Sequence, residues 1–207
     1  MSGVYILGAS GHGKVVLSVL RSRGIEPLGF YDDAKELCAA NISSLSVLGS
    51  LDEFGRLPGE QAVIGIGDCR IRRMVAEKFS DIVWVVATHV HSWADPLSAV
   101  GPGSVVCAGA VIQVDSQIGA HCIINTGASV DHDCRLGDFV HICPGVHLGG
   151  DVTVGNGSWI GIGSQVIQGM KIGDNVMVGA GSTVVRDIPD NAVVMGSPAR
   201  IVRYQKC

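Results

Sequence analysis

The sequence predicts two unlike units: a small α/β unit over residues 1–90, then a parallel β-helix over residues 91–207. Three observations carry that expectation. The first part alternates short aliphatic strands with helices, the pattern of a parallel sheet joined by crossovers. From about residue 94 every sixth residue is aliphatic, a repeat that marks stacked coils. Glycine is 29 of 207 residues in a chain that is 47% hydrophobic and 16% charged. That glycine content is about twice ordinary usage and suits many tight turns; disorder would need more charge and fewer apolar residues.

In the first unit, residues 4–7 form an aliphatic strand that ends in Gly8-Ala9-Ser10-Gly11-His12-Gly13. Residues 15–23 have helical spacing and stop at Gly24. A second strand over 28–31 ends in Asp32-Asp33, a third covers 62–66, a charged amphipathic helix covers 70–79, and a fourth strand covers 82–87. The unit is Rossmann-like. Its glycine turn lies after a strand and before a helix, where a phosphate can meet the helix N-terminus. The spacing is Gly-x-x-Gly-x-Gly, not the dinucleotide fingerprint. Asp32 and Asp33 sit where an acidic residue can hold a ribose or base edge.

In the second unit, fifteen consecutive sixth positions from Val100 to Val184 are Val, Ile or Leu. Gly101, Gly119, Gly137, Gly155 and Gly173 recur every eighteen residues. The fourth place of most hexads is Gly, Asn or Asp, which tolerate left-handed backbone. Three hexads per coil give a triangular prism whose aliphatic places point inward, with five full coils in this span. Cys122 and Cys134 share the fifth place of their hexads and read as packing residues. Val111, Ile123, Val140, Trp159 and Met177 read as apolar outer positions, which call for a covering partner.

Composition removes several classes. Net charge is −4 with no long basic run, which argues against nucleic acid. No stretch reaches the ~18 apolar residues of a membrane span, and residues 1–14 do not read as a signal peptide. The seven cysteines form no Cys-x-x-Cys, so free thiols in a cytoplasmic protein are expected. His132, His141 and His147 lack the spacing of zinc ligand pairs, so no metal is expected. His132 lies between Asp131 and Asp133. A carboxylate beside an imidazole raises its basicity, as a general base requires. His141 follows nine residues later, half a coil round, so the two do not stack.

The chain resembles the PglD/NeuD-type bacterial sugar acetyltransferases, which are left-handed β-helix, hexapeptide-repeat acyltransferases. The residues that carry the resemblance are Gly8 to Lys14, Asp32-Asp33, Gly65 to Asp68, Asn125 to Cys134, His141, and Gly196 to Arg200. The resemblance implies a left-handed coil and an acetyl-CoA-dependent N-acetyltransferase that acts on a nucleotide-linked amino sugar, a UDP-4-amino-4,6-dideoxyhexose being favoured. His132 matches the family's base and Asp133 the residue that tunes it. His141, Gly150, Ile162 and Ala180 match acetyl-CoA positions. Ser10, Gly11, His12, Asp32, Asp33 and Gly67 match nucleotide-sugar positions. A homotrimer with acetyl-CoA between neighbours is also implied. A GDP-linked amino sugar such as perosamine and O-acetylation of sialic acid are alternatives within the class. An NAD-dependent oxidoreductase and a non-catalytic scaffold are the alternatives outside it.

Overall fold

The computed structural model describes residues 3–55, 59–79 and 81–205. The first sheet holds β1 (Val4–Leu7), β2 (Gly29–Tyr31), β3 (Asn41–Ile42), β4 (Leu45–Gly49), β5 (Gln61–Ile64) and β6 (Val83–Trp84) in the order β3-β4-β2-β1-β5-β6. All neighbours run parallel except β3 and β4. The chain moves outward from β1 through β2 to β4, then returns to place β5 on the other side of β1. The strand order therefore reverses between β1 and β5, the place where open α/β sheets open a ligand crevice.

Helices α1 (Gly11–Ser22), α2 (Leu51–Phe54) and α3 (Cys69–Lys78) complete the unit. Helix α1 buries Val16, Leu17, Val19 and Leu20. The turn before it needs glycine at two points. Gly8 has φ +106°, and a side chain on Gly13 would run into the Gly8 carbonyl. Residues 34–60, unassigned from the sequence, contain the short β3–β4 pair and the Ser50/Glu53 capping box of α2.

The expected strand over 82–87 is two strands. Val83–Trp84 closes the first sheet, whereas Ala87–Thr88 opens the prism. The coil thus begins before residue 94. Its first turn was hidden because the sixth-place series continues backward through Ala94 and Thr88, which are not branched aliphatics. From there the fold is a left-handed parallel β-helix. Each wall is a ladder of two-residue strands eighteen residues apart. Wall one carries Ala87, Val105, Ile123, His141, Trp159 and Met177 on its outer side. Wall two carries Trp93, Val111, Ser129, His147, Gln165 and Thr183. Wall three carries Ala99, Gln117, Arg135, Thr153 and Lys171. Ala192–Met195 extends wall one, and Arg200–Tyr204 folds back antiparallel on it, a strand the sequence pattern did not signal.

The interior is filled from two places per hexad. The aliphatic first place forms one set, and the small fifth place the other. Where the fifth place is serine, the hydroxyl stitches adjacent coils. Ser158 donates to the Gly173 carbonyl and accepts from the Val176 amide, and Ser104, Ser116 and Ser164 repeat the pattern. Cys122 and Cys134 occupy the same place, and burial raises their thiol pKa values to about 12 and about 11. Two residues expected to need a covering partner do not. Val140 takes an interior fifth place, and Ile123, on the outer side of wall one, is covered within the chain; both are 0% exposed.

The corners explain the hexad. Residues such as Gly127, Asp133, Gly145, Asp151 and Asn175 have φ between +52° and +65°. Asp187, in the same series, lies outside this left-handed set, where the last coil opens. His121 and Phe139 hold the same left-handed conformation without being Gly, Asn or Asp. These two corners face the first unit.

At Gly145 an added side chain would meet nothing within 4 Å, so only backbone strain is at stake there. Gly145→Val should cost about 1–2 kcal/mol in urea unfolding, and Gly145→Asn clearly less. Equal losses would show that the corner does not require left-handed backbone.

Candidate active site

The loops after β1, β2 and β5 open on one edge of the first sheet and, with the first turn of α1, carry every expected nucleotide-site residue. Ser10 and Gly11 are exposed, and nothing lies within 4 Å of where a Gly11 side chain would point. The backbone therefore does not demand glycine at 11. Asp32 is built into the loop. One carboxylate oxygen accepts from the Ala9 amide (2.7 Å) and the other from Ala34 (2.9 Å). Asp33 is more exposed and accepts from the Leu51 amide at the start of α2 (2.9 Å).

The structure brings His12, Gly67 and His141 together. His141 projects from wall one against the loop after β5, with its ring 6.1 Å from that of His12 and 4.4 Å from the Trp159 indole. A carbonyl can only accept, so the 3.1 Å contact with the Gly67 oxygen puts the proton on His141 Nδ1. Nε2 then accepts from Asn125 Nδ2 (3.0 Å), whose own oxygen is held by the Thr126 amide. Both ring nitrogens are thus used within the chain. Burial, then the nearby Arg72 charge, then His12, push the His141 pKa down to about 3. His12 is lowered to about 4 by burial and Arg72, and its Nε2 is buried with no partner. His121 is also lowered to about 4, first by burial and then by Arg72.

His132 lies elsewhere, on the corner between walls two and three. Its Nδ1 is 2.8 Å from Asp133 Oδ2, and the ring is exposed. The hydrogen bond to Asp133, with smaller help from Asp131, raises its pKa. Nε2 makes no hydrogen bond among the described residues. Gly150 occupies the same hexad place one coil on, and a side chain there would come within 2.5 Å of the His132 ring. Glycine at 150 is what lets the imidazole lie over the prism.

Ile162 and Ala180 stack one coil apart on a different corner, between walls one and two, and both are exposed. The expected acetyl-CoA residues therefore fall into separate groups: Gly150 beside His132, and Ile162 with Ala180 on the same corner as Asn125. His147 is on wall two, paired with Ser129 Oγ at 2.7 Å. Three participants were given no site role from the sequence: Arg72, Asn125 and Trp159. Arg72 reads there as one more charge on a polar helix. The signal that could have found it is the break in corner composition at His121 and Phe139.

Comparison with known proteins fits this geometry. The description "PglD N-terminal domain" matches residues 3–79, and "Bacterial transferase hexapeptide (six repeats)" matches residues 151–186. A variant of perosamine N-acetyltransferase from Caulobacter crescentus, solved with CoA and GDP-perosamine, is 37% identical over 97% of both chains, with a TM-score of 0.92. The acetyltransferase domain of PglB from Neisseria gonorrhoeae, solved with acetyl coenzyme A, is 36% identical over 97% of this chain and 99% of that one, also at 0.92. WeeI from Acinetobacter baumannii, at 24% identity and 0.74, shares the fold. A curated relative, an uncharacterized protein of Acanthamoeba polyphaga mimivirus, is 32% identical over 116 residues; the match spans 56% of this chain and 23% of that protein.

The three histidines lowered to about 3–4, His12, His121 and His141, make stability depend on pH. Each is neutral when folded and takes a proton near pH 6.5 when unfolded. Their contribution is complete above pH 6.5 and is lost as pH falls through 6.5 toward about 3–4. His132 acts in the opposite sense but is exposed. Urea unfolding should show stability dropping between pH 7 and pH 5, above the range where most carboxylates titrate. A flat profile over that interval would refute the neutral-histidine assignment.

Proposed function

We propose, from the premise that the chain belongs to the PglD/NeuD-type sugar acetyltransferases of the hexapeptide-repeat family, that it transfers the acetyl group of acetyl-CoA to the amino group of a nucleotide-linked amino sugar. The observation that carries this reading is the His132–Asp133 pair. It is an imidazole fixed through Nδ1, raised in basicity and open at Nε2. A general base for an amine needs those three properties.

The chemistry balances without a further reactant. The sugar amine attacks the thioester carbonyl while His132 Nε2 takes its proton. The carbon–sulfur bond breaks, and the CoA thiolate leaves and recovers that proton. Asp133 holds the imidazole orientation and stabilises the imidazolium that forms. The glycine-loop edge of the first sheet holds the nucleotide, with Ser10, Gly11, His12, Asp33 and Gly67 facing it. Asp32 acts one step back by fixing the loop. The UDP-linked 4-amino-4,6-dideoxyhexose is the first acceptor to test. GDP-perosamine is the second, because a similar enzyme was solved with it.

The active protein is a homotrimer in this reading. Within one chain, His132 with Gly150 and Ile162 with Ala180 occupy different corners, so one chain does not enclose acetyl-CoA. A neighbour across a three-fold axis brings one corner against the other. It also covers apolar side chains such as Ile162, which is 59% exposed. His141 is a fixed, neutral wall of the sugar half-site; it acts on acetyl-CoA only through its position.

Thiol release from acetyl-CoA should require a nucleotide-linked amino sugar. His132→Ala should lower turnover by ~10²–10⁴-fold with acetyl-CoA affinity preserved. Because the base must be neutral, wild-type kcat/KM should fall as pH drops through the raised His132 pKa. Asp133→Asn removes the main cause of that rise, so its acid limb should move to lower pH. Turnover of His132→Ala within threefold of wild type, or an unmoved limb in Asp133→Asn, would remove the pair from the mechanism.

A further inference from the structure

Arg72 on α3 is 1% exposed, and no carboxylate among the described residues bonds its guanidinium. All five of its N–H groups go to neutral acceptors. Nε donates to the His121 carbonyl (2.7 Å). Nη1 donates to the carbonyls of Ile66 (3.0 Å) and Gly67 (2.8 Å). Nη2 donates to the Phe139 carbonyl (2.8 Å) and contacts Cys69 Sγ (3.6 Å). Burying a charge without a counterion is costly, and only a complete set of acceptors makes it tolerable. The four carbonyls come from three segments far apart in sequence: the loop after β5 and one prism corner on two successive coils.

The corners are the ones that break the turn rule. His121 and Phe139 hold left-handed backbone that bulky residues avoid. They stack on each other at 5.1 Å and 4°, with Trp84 edge-on against His121 and Arg73 over the Phe139 ring. Their side chains pack on one another while their carbonyls accept from the guanidinium. The Gly67 carbonyl is also the one that receives His141 Nδ1–H. Arg72 and His141 therefore meet on a single oxygen of the loop assigned above to the nucleotide sugar.

We propose that Arg72 is the positioning residue of the sugar half-site: its planar fork ties the Ile66–Gly67 carbonyls to the prism corners at His121 and Phe139, and so fixes the loop and the His141 ring against each other. The proposal rests on the function argued above for its kinetic consequence, but the geometric part stands apart from it. Lysine cannot replace this residue, because an ammonium has three donors and no fork. Charged and titratable groups around the guanidinium are His12, His121 and His141, with Arg73 and Asp68 on the same helix and its cap and Asp138 beside His121.

Arg23 supplies a control. It also joins the first unit to the prism, through the Thr88 and His89 carbonyls, but far from the Gly67 loop. Arg72→Lys should raise KM for the nucleotide sugar by ~10- to 100-fold, the scale expected of small misplacements. Its acetyl-CoA KM should stay within about twofold of wild type, and Arg23→Ala should leave both constants unchanged. Imidazole ¹⁵N shifts give a readout independent of activity: wild-type His141 should be a single Nδ1–H tautomer, and Arg72→Lys should lose that uniqueness. Equal rises in both KM values, or an unaltered His141 signal in a folded Arg72→Lys protein, would overturn the proposal. If that variant does not fold, the wild-type protein decides alone. An Nε2–H tautomer at His141, or fast solvent exchange of the Arg72 Nε–H, overturns it; the Nδ1–H form with a slowly exchanging Arg72 supports it. If wild type turns over no amino sugar, the function fails while these spectra still test the clamp.

Discussion

A left-handed backbone step once per hexad is the constraint on which the rest depends. It bends the chain at each corner and sets a coil of eighteen residues, so residues eighteen apart lie over one another. That register places Gly150 against His132 and Ala180 beside Ile162. It also keeps these pairs apart, because twelve residues carry the chain past two walls to another corner. A catalytic group on such a prism has a fixed address, and its neighbours are chosen by sequence spacing instead of by loop conformation. Glycine at 150 serves the imidazole above it, while glycine at the corner itself serves the turn.

Docking of the first unit uses the same register. Ala87, Val105, Ile123 and His141, successive outer places of wall one, are buried, Trp159 is partly covered, and Met177 is exposed. Val105 and Cys107 share a core cluster with Val16, Leu17 and Leu20 of α1. The result is the loop after β5 held against the prism through Gly67, with neutral imidazoles lining the seam. The prism from 94 to 190 carries nine Asp against three basic residues, a poor host for phosphates. Arg200 and Arg203 lie exposed on the last strand and are the nearest basic groups to that end of the prism in sequence; Lys206 lies outside the described residues.

Much of this was legible because repetition amplifies weak signals. One aliphatic residue at a sixth position means little; fifteen in register specify the prism interior and its corners. The first unit was readable where apolar runs end in Gly8 or Asp32-Asp33, and unreadable over 34–60, where the strands are two to five residues long. The two residues that need no covering partner follow from the same limit. Val140 looks like any exposed valine until the fifth place is known to point inward, and Ile123 is buried by the first unit, which the hexad does not encode. Asp32 and His132 were both visible as chemistry, but only coordinates show that one carboxylate is spent on its own loop and the other residue's Nε2 is left open. Arg72 was silent, since nothing in a charged helix marks which arginine turns inward.

Subunit mixing tests the shared-site account most directly. His132→Ala removes the base from one corner, and Ala180→Trp blocks the other. In randomly mixed trimers of these two inactive chains, one interface in each heterotrimer pairs two intact halves, so about a quarter of wild-type activity should return. His132→Ala mixed with Gly150→Trp, two lesions on one corner, should return none. A mixture of His132→Ala and Ala180→Trp that stays as inactive as its parents, with heterotrimers verified by differential tags, would contradict a site built between neighbouring prisms.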